Sequence, residues 1–297
     1  MSSLPEGWRR LQKEDAAAVA ELLVEDETFH GLPGKLSADD ILGWWGRTDL
    51  DGNSWAREED GRFTAAGWIE EYGGDVVGGG AVRPGAKGKG IGAALVEIAE
   101  RRTRELGGSV LRQFALESDE AARALYESRG YTDVRHHYVM AIQLDSEPSV
   151  PVLPDGYAID TFREEDRTAF HATAGEAFAE EWGHHSLPLD EWWAMRKDED
   201  KSLWFVIRDG GEIAACERCE AKHGGGFVGM LGVRKPWRRR GFGEALLLHA
   251  FREFRARGFE RASLGVDSEN PTGATRLYQS VGMHVESEHV TFEKELA

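Results

Sequence analysis

Val233-Arg-Lys-Pro-Trp-Arg-Arg-Arg-Gly-Phe-Gly-Glu-Ala-Leu-Leu247 is the most informative stretch of this 297-residue chain. The residues before it, Gly226 to Val233, read as a strand. Those after it, Gly243 to Arg257, read as a long helix, because Ala245, Leu246, Ala250 and Phe254 recur at helical spacing and Gly258 stands at the stop. A glycine loop between strand and helix leaves successive backbone N–H groups without partners. They form an anion cradle, which the helix dipole reinforces. Gly241 and Gly243 let a phosphate come close to the backbone. Five of the seven residues from 234 to 240 are basic, which a pyrophosphate ligand would explain. The loop alone fits equally well a helix start carrying solvated arginines. It is not a Walker A loop, since no Gly-Lys-Ser/Thr follows. The third glycine of the dinucleotide fingerprint is missing, and no parallel strand–helix–strand context is expected around it.

Moving outward, the stretch has a counterpart earlier in the chain. Val82-Arg83 followed by Gly90-x-Gly92-x-Ala94-Leu95 repeats as Val233-Arg234 followed by Gly241-x-Gly243-x-Ala245-Leu246. Leu4-Pro5-Glu6-Gly7-Trp8 repeats as Leu153-Pro154-Asp155-Gly156-Tyr157, Glu14-Asp15 as Glu165-Asp166, and Trp44-Trp45 as Trp192-Trp193. Leu125-Tyr126-x-Ser128-x-Gly130 repeats as Leu277-Tyr278-x-Ser280-x-Gly282. The order is kept at a spacing near 150 residues, so two copies of one domain are expected. Pro148, Pro151 and Pro154 mark an extended spacer between them. The expected domains are residues 1–147 and 148–297.

In the second copy, strands are expected over Tyr157 to Thr161, Leu203 to Ile207, Glu212 to Glu220, Gly226 to Val233, Ala262 to Val266 and Val285 to Leu296. Helices are expected from Glu164-Glu165-Asp166, over Leu189 to Met195, and over Pro271 to Ser280. The first copy follows the same order. Each half therefore reads as α+β, a central and mostly antiparallel sheet with helices on both faces.

The net charge is −17, divided −10 and −7 between the halves. That argues against nucleic acid, whose phosphates need a positive face, and for a neutral or cationic partner. Two cysteines make no disulfide framework, no apolar leader opens the chain, and no run is long enough to span a membrane. A soluble cytoplasmic protein is expected.

Arg238-x-x-Gly241-x-Gly243 after the Val-Arg strand end resembles the acetyl-CoA signature of the GCN5-related N-acetyltransferases, the GNAT family. Val266-Asp267-x-x-Asn270 and Arg276-Leu277-Tyr278-x-x-x-Gly282 match that family's later motif. The first copy carries Lys87-x-x-Gly90-x-Gly92 and Leu125-Tyr126-x-x-x-Gly130, so the layout is similar to that of mycothiol synthase-type, two-domain acetyltransferases. The resemblance implies an N-acetyltransferase that uses acetyl-CoA as co-substrate, needs no metal, and acetylates a primary amine, most simply that of a small molecule. It implies direct attack in a ternary complex, since neither cysteine lies in an activating motif. It places the cofactor on Leu231, Gly232, Val233, Arg238, Arg239, Arg240, Gly241, Phe242, Gly243, Glu244 and Asn270. In the first copy it points to Val82, Lys87, Gly88, Lys89, Gly90 and Gly92. A main-chain N–H around Leu231 to Val233, on a bulged fourth strand, is the expected oxyanion donor. Tyr278 is the expected acid for the leaving thiolate, and Tyr126 is its first-copy equivalent. The second copy is the expected catalytic one, because Lys87 lacks the forked donors of Arg238 and Ser118-Asp119 replaces the match to Asn270. A non-catalytic acyl-CoA-binding module is the alternative. Monomer and homodimer both remain open.

No carboxylate lies on Gly224 to Val233, so the proton acceptor stays open among Glu217, Glu220, Glu180, Glu181 and His223, each of which reads first as a solvated surface group. Cys216-x-x-Cys219 lies in a strand, where positions three apart face opposite sides; it reads as two ordinary strand cysteines. His184-His185 and His136-His137 lack partners at ligand spacing. One tryptophan of each Trp-Trp pair is expected to pack on the sheet, with an aromatic wall for the acceptor as the rival reading. Glu180, Glu181, Asp190 and Glu191 nearby would suit a cationic amine.

Overall fold

The computed structural model describes residues 4–72, 75–183, 186–222, 224–270 and 272–296. In chain order the first elements are β1 (Trp8–Arg9), α1 (Ala16–Phe29), α2 (Ala38–Trp44), α3 (Leu50–Asn53), β2 (Ser54–Glu59), β3 (Arg62–Tyr72), β4 (Asp75–Val82), α4 (Ile91–Glu105), β5 (Val110–Leu116), α5 (Glu120–Ser128) and β6 (Thr132–Gln143). There follow β7 (Ile159–Thr161), α6 (Arg167–Phe178), α7 (Leu189–Ala194), β8 (Trp204–Asp209), β9 (Glu212–Lys222), β10 (Gly225–Val233), α8 (Phe242–Ala256), β11 (Arg261–Asp267), α9 (Ala274–Ser280) and β12 (His284–Glu295). The expected elements of the second copy are all present, with ends shifted by a few residues. Pro271, where the last short helix was expected to begin, lies outside the described residues.

The chain forms two compact units, one of residues 1–137 with 287–297 and the other of residues 138–286. Unit 1 carries the strand order β1-β2-β3-β4-β5-β12, and unit 2 carries β6-β11-β10-β9-β8-β7. A cut at residue 147/148 does not follow these units. Tyr138–Gln143 of β6 belongs to unit 2, and Ser287–Glu295 of β12 belongs to unit 1. Each sheet therefore receives one strand from the other sequence copy, and unit 1 receives its strand from the far end of the chain. The alternation along both segments explains why they can serve: Val290 and Phe292 enter one core, and Met140 enters the other with Leu144 just beyond it, all at most 2% exposed.

The pairs β1/β2, β2/β3, β3/β4 and β5/β12 of unit 1 and β7/β8, β8/β9 and β9/β10 of unit 2 are antiparallel. β4 runs parallel to β5, and β10 parallel to β11, each pair joined through a long helix. A parallel strand–helix–strand crossover, which was not evident from the sequence, is thus present in both units. Its cause is the buried helix between the strands: Leu246, Leu247, Ala250, Phe251 and Phe254 of α8 are at most 1% exposed, which holds the connection against the sheet. In unit 2, α6 and α7 cover one face around Phe170 and Trp204, while α8 and α9 cover the other around Phe251 and Leu264.

The parallel pairs are short. Only Gly226 and Phe227 of β10 register against Ala262 and Ser263, after which the two strands part. In unit 1 only Val76 to Gly78 register against Leu111 to Gln113. Both sheets therefore have a fork whose open side exposes backbone of the fourth strand next to the glycine loop.

Candidate active site

The fork of unit 2 is the centre of the candidate site. β10 pairs with β9 along its whole length, but the register slips between Val228 and Met230, leaving Gly229 as a bulge. β4 runs against β3 without such a slip. Comparing the units locates the cause: Gly226 stands 150 residues after Val76, while Val233 stands 151 after Val82. β10 has one extra residue, and the bulge absorbs it. Beyond the bulge, Arg234 N donates to Ala214 O on β9 at 3.1 Å. Alternation along the strand then turns the N–H groups of Leu231 and Val233 toward the open side and that of Gly232 toward β9. Gly232 has a separate role, since a Cβ there would stand 2.8 Å from Ala177 Cβ on α6.

The glycine loop follows. Arg239 has φ 65° and Gly241 φ 83°, so two left-handed residues alternate just before α8. Unit 1 forms the same turn with two glycines, Gly88 at 78° and Gly90 at 79°. An arginine held left-handed costs roughly 1–3 kcal/mol, which a solvated helix start gives no reason to retain. Arg238 donates from Nε to Val233 O at 3.1 Å, fixing its guanidinium at the strand end. Arg234 is held away from the loop by Glu176 and Glu212 at 2.7 and 2.8 Å, and Lys235 pairs with Glu180 at 2.8 Å. Arg239 and Arg240 are exposed, with Arg240 reaching the Tyr157 hydroxyl at 3.4 Å. The Phe242 side chain is buried against Tyr157, with ring centroids 4.9 Å apart, so only its backbone faces the loop. Glu244 is exposed in the first helical turn. Gly243 is needed for packing, because a Cβ there would stand 3.0 Å from Leu277 Cδ2 on α9.

Asn270 and Tyr278 lie on the far side of the fork. Asn270 Nδ2 donates to Glu181 Oε1 at 3.0 Å, and its Oδ1 accepts from Thr272 N at 2.9 Å. Glu181 is half-buried, and desolvation lifts its carboxyl above the usual range despite that hydrogen bond. Tyr278 is 8% exposed on α9. Burial first, then the charges of Glu181 and Glu217, push its phenol upward, so it stays protonated at neutral pH.

Glu217 corrects the surface reading. It is fully buried on β9, and alone among the described residues has both carboxylate oxygens buried without a hydrogen-bond partner. Desolvation raises its pKa well above the ordinary value. It pairs with Leu231 and with Phe205. The same position in unit 1, between Trp55 and Gly80, is Gly67. Of the other candidate acceptors, Glu220 pairs with Arg218 at 3.3 Å and Glu180 with Lys235, while His223 lies outside the described residues. Nothing in the sequence marked Glu217 as buried, because charge on an alternating strand reads as a solvated face.

The two tryptophan pairs differ. Trp45 is 4% exposed and Trp44 36%, as one packed ring and one outer ring require. In unit 2 both Trp192 and Trp193 are buried around Phe162, Phe170 and Trp204, so neither forms an exposed wall. Asp190 pairs with Arg167 at 3.2 Å. Cys216 and Cys219 enter different cores on opposite sheet faces, as their spacing predicts, and burial raises both thiols. His136 is held by Glu288 and Asp133 at 2.6 and 2.9 Å; His184 and His185 lie outside the described residues.

In unit 1 the loop lysine is locked. Lys87 Nζ lies 2.8 Å from Asp26 and 2.9 Å from Asp119, and 2.9 Å from His30 Nε2. Burial alone would lower its pKa, but the two carboxylates outweigh that and raise it. Asp26, His30 and Asp119 are the one group of metal-ligand spacing among the described residues, and the ammonium already supplies their cation. Val82 ends β4, Lys89 is exposed, and a Cβ on Gly92 would stand 3.2 Å from Leu125 Cδ2. Tyr126 is partly buried against the core of unit 1, and its hydroxyl donates to Gln113 Oε1 at 3.4 Å.

The acetyltransferase (GNAT) family matches this chain twice, over residues 16–131 and 161–283. The chain belongs to that family. It is an acyltransferase with two GNAT domains in tandem. A mycothiol acetyltransferase of Streptomyces scabiei is 33% identical over 227 residues, covering 72% of this chain and 68% of that one. The mycothiol acetyltransferase of Actinosynnema mirum is 27% identical over 300 residues, 92% of this chain and 93% of that one. A GCN5-related N-acetyltransferase from Sphaerobacter thermophilus superposes with a TM-score of 0.87 at 30% identity, covering 99% and 97% of the two chains. A tandem GNAT protein from the clavulanic acid biosynthesis pathway shares the fold at 18% identity, with a TM-score of 0.73 over 98% of each chain. Among the described residues, no helix is long and apolar enough to cross a membrane.

Proposed function

We propose that unit 2 transfers an acetyl group from acetyl-CoA to a primary amine of a small molecule, by direct attack in a ternary complex. The observation that carries this reading is the pairing of a forked, bulged β10 with the left-handed turn at Arg239 and Gly241. The loop N–H groups, with Arg238, Arg239 and Arg240, suit a pyrophosphate. The N–H groups of Leu231 and Val233 are the donors for negative charge building on the thioester oxygen. The amine nitrogen bonds to the acetyl carbon, the carbon–sulfur bond breaks, and the Tyr278 hydroxyl gives its proton to the departing sulfur. The amine's surplus proton leaves to solvent, and a proton from solvent restores the Tyr278 hydroxyl before the next turnover. A thiolate with an ordinary pKa near ~8.5 is a weak acceptor for so weakly acidic a phenol, so the proton moves as the bond breaks rather than after.

Replacing Tyr278 with Phe lowers kcat about 100-fold and leaves acetyl-CoA affinity within about twofold, by steady-state kinetics and calorimetry. An unchanged kcat removes Tyr278 as the acid. Titration of acetyl-CoA into the full chain gives one site. Gly241→Glu abolishes it, because it adds a strained Cβ and a carboxylate to the cradle; Gly90→Glu does not. Loss of binding in Gly90→Glu alone would transfer the assignment to unit 1, and absence of binding to the unsubstituted protein would overturn it.

A further inference from the structure

Unit 1 holds a cavity of about 450 Å³ that runs through the β4/β5 fork, from Asp26 on α1 to Val96 on α4. Its size suits a small organic ligand. Three observations say what kind. First, nine equivalent positions around the two glycine loops carry opposite charge. Positions 26, 27, 29, 30, 84, 87, 88, 89 and 119 hold two bases and three acids. Their counterparts 177, 178, 180, 181, 235, 238, 239, 240 and 270 hold four bases and two acids. Second, Asp26 and Asp119 share the single ammonium of Lys87. A pyrophosphate would have to draw Lys87 away from both, leaving two part-buried carboxylates beside an anion, which is strongly unfavourable. Third, the indole N–H of Trp55 in the cavity wall has no hydrogen-bond partner, and Trp55 is 1% exposed. Gly67, opposite it, leaves the space open, since a Cβ there would stand 2.7 Å from that nitrogen.

We infer that the cleft of unit 1 binds a cationic small molecule with an apolar body and a carbonyl or similar acceptor group, in place of a nucleotide-bearing thioester. The cation adds to the charge that Lys87 leaves uncompensated at Asp26 and Asp119. The apolar body lies along Trp68, Leu95 and Phe114, and the acceptor group takes the Trp55 N–H.

The test is calorimetry on the full chain with (2-hexanamidoethyl)trimethylammonium, which cannot be acetylated, and with N-hexanoylglycine, an amide of similar length and opposite charge. The cation binds one site, and the anion binds at least tenfold more weakly. The Asp26→Asn/Asp119→Asn double variant weakens the cation at least tenfold, and Asn still caps α5 as Asp119 does. Trp55→Phe removes the preference for the amide probe over octyltrimethylammonium, a readout that survives if the double variant fails to fold. Equal binding of the two charges, unchanged affinity in either variant, or two acetyl-CoA sites on the unsubstituted protein overturns the proposal.

Discussion

Removing residues 287–297 unfolds unit 1, at the opposite end of the sequence from the deletion. The truncated chain 1–286 loses Val290, Phe292 and Leu296 from the core around Trp55 and Ile69. It also loses the β12 register against Val110 to Leu116 and the Lys294–Glu100 and Glu293–Arg112 ion pairs. Truncating one buried phenylalanine costs about 3–5 kcal/mol, and a whole unit is stable by only about 5–15 kcal/mol. Thermal unfolding followed by circular dichroism should therefore show the unit 1 transition lost or displaced below room temperature. Fragment 1–147 fails for the same reason, and fragment 148–297 fails because Tyr138–Leu144 stays behind. If chain 1–286 melts like the full chain, the assignment of β12 to unit 1 is wrong.

Glu217→Gln should stabilise the protein, and by more the higher the pH. The carboxyl's folded pKa is raised by burial while its unfolded pKa is near ~4.3, so the folded state binds more protons over that window. Its contribution is therefore fully present below the unfolded pKa and is lost as pH rises toward the folded one. The loss is roughly 1.4 kcal/mol per pH unit until the folded pKa is passed. Glutamine has nearly the same shape and no charge to desolvate, so it carries none of that slope. Urea unfolding at pH 5 and pH 8 measures the difference between variant and parent; a difference that does not grow with pH rules out a buried, neutral Glu217.

The double domain, the order of its strands and helices, and the loop at residues 234–243 are legible because they rest on repetition and local pattern. The bulge is half legible: the repeat spacing changes by one residue within β10, but only the paired registers show that Gly229 takes up the slack. The strand exchange is not legible. Val285 to Leu296 and its first-copy counterpart have the same alternation, and alternation says which face is buried, not which sheet receives the strand. Sequence singled out Lys87 and Asp119 but not Asp26 or His30, because the ion cluster joins helix α1 to residues about 60 to 90 positions away. Burial of Glu217 and of both Trp192 and Trp193 depends on what packs over them, which no local pattern encodes.

The ribosome makes unit 1 first, yet unit 1 cannot finish first. When Arg135 to Leu144 has emerged, everything unit 2 takes from the front of the chain is already made, while unit 1 still waits for residues 287–297. At about 5–20 residues per second, the roughly 150 intervening residues impose a wait of about 8–30 seconds. Over that interval the nascent unit 1 presents the unpaired edge of β5 and an uncovered apolar floor, so it is the stage at which chaperone capture and misassembly between neighbouring nascent chains would concentrate.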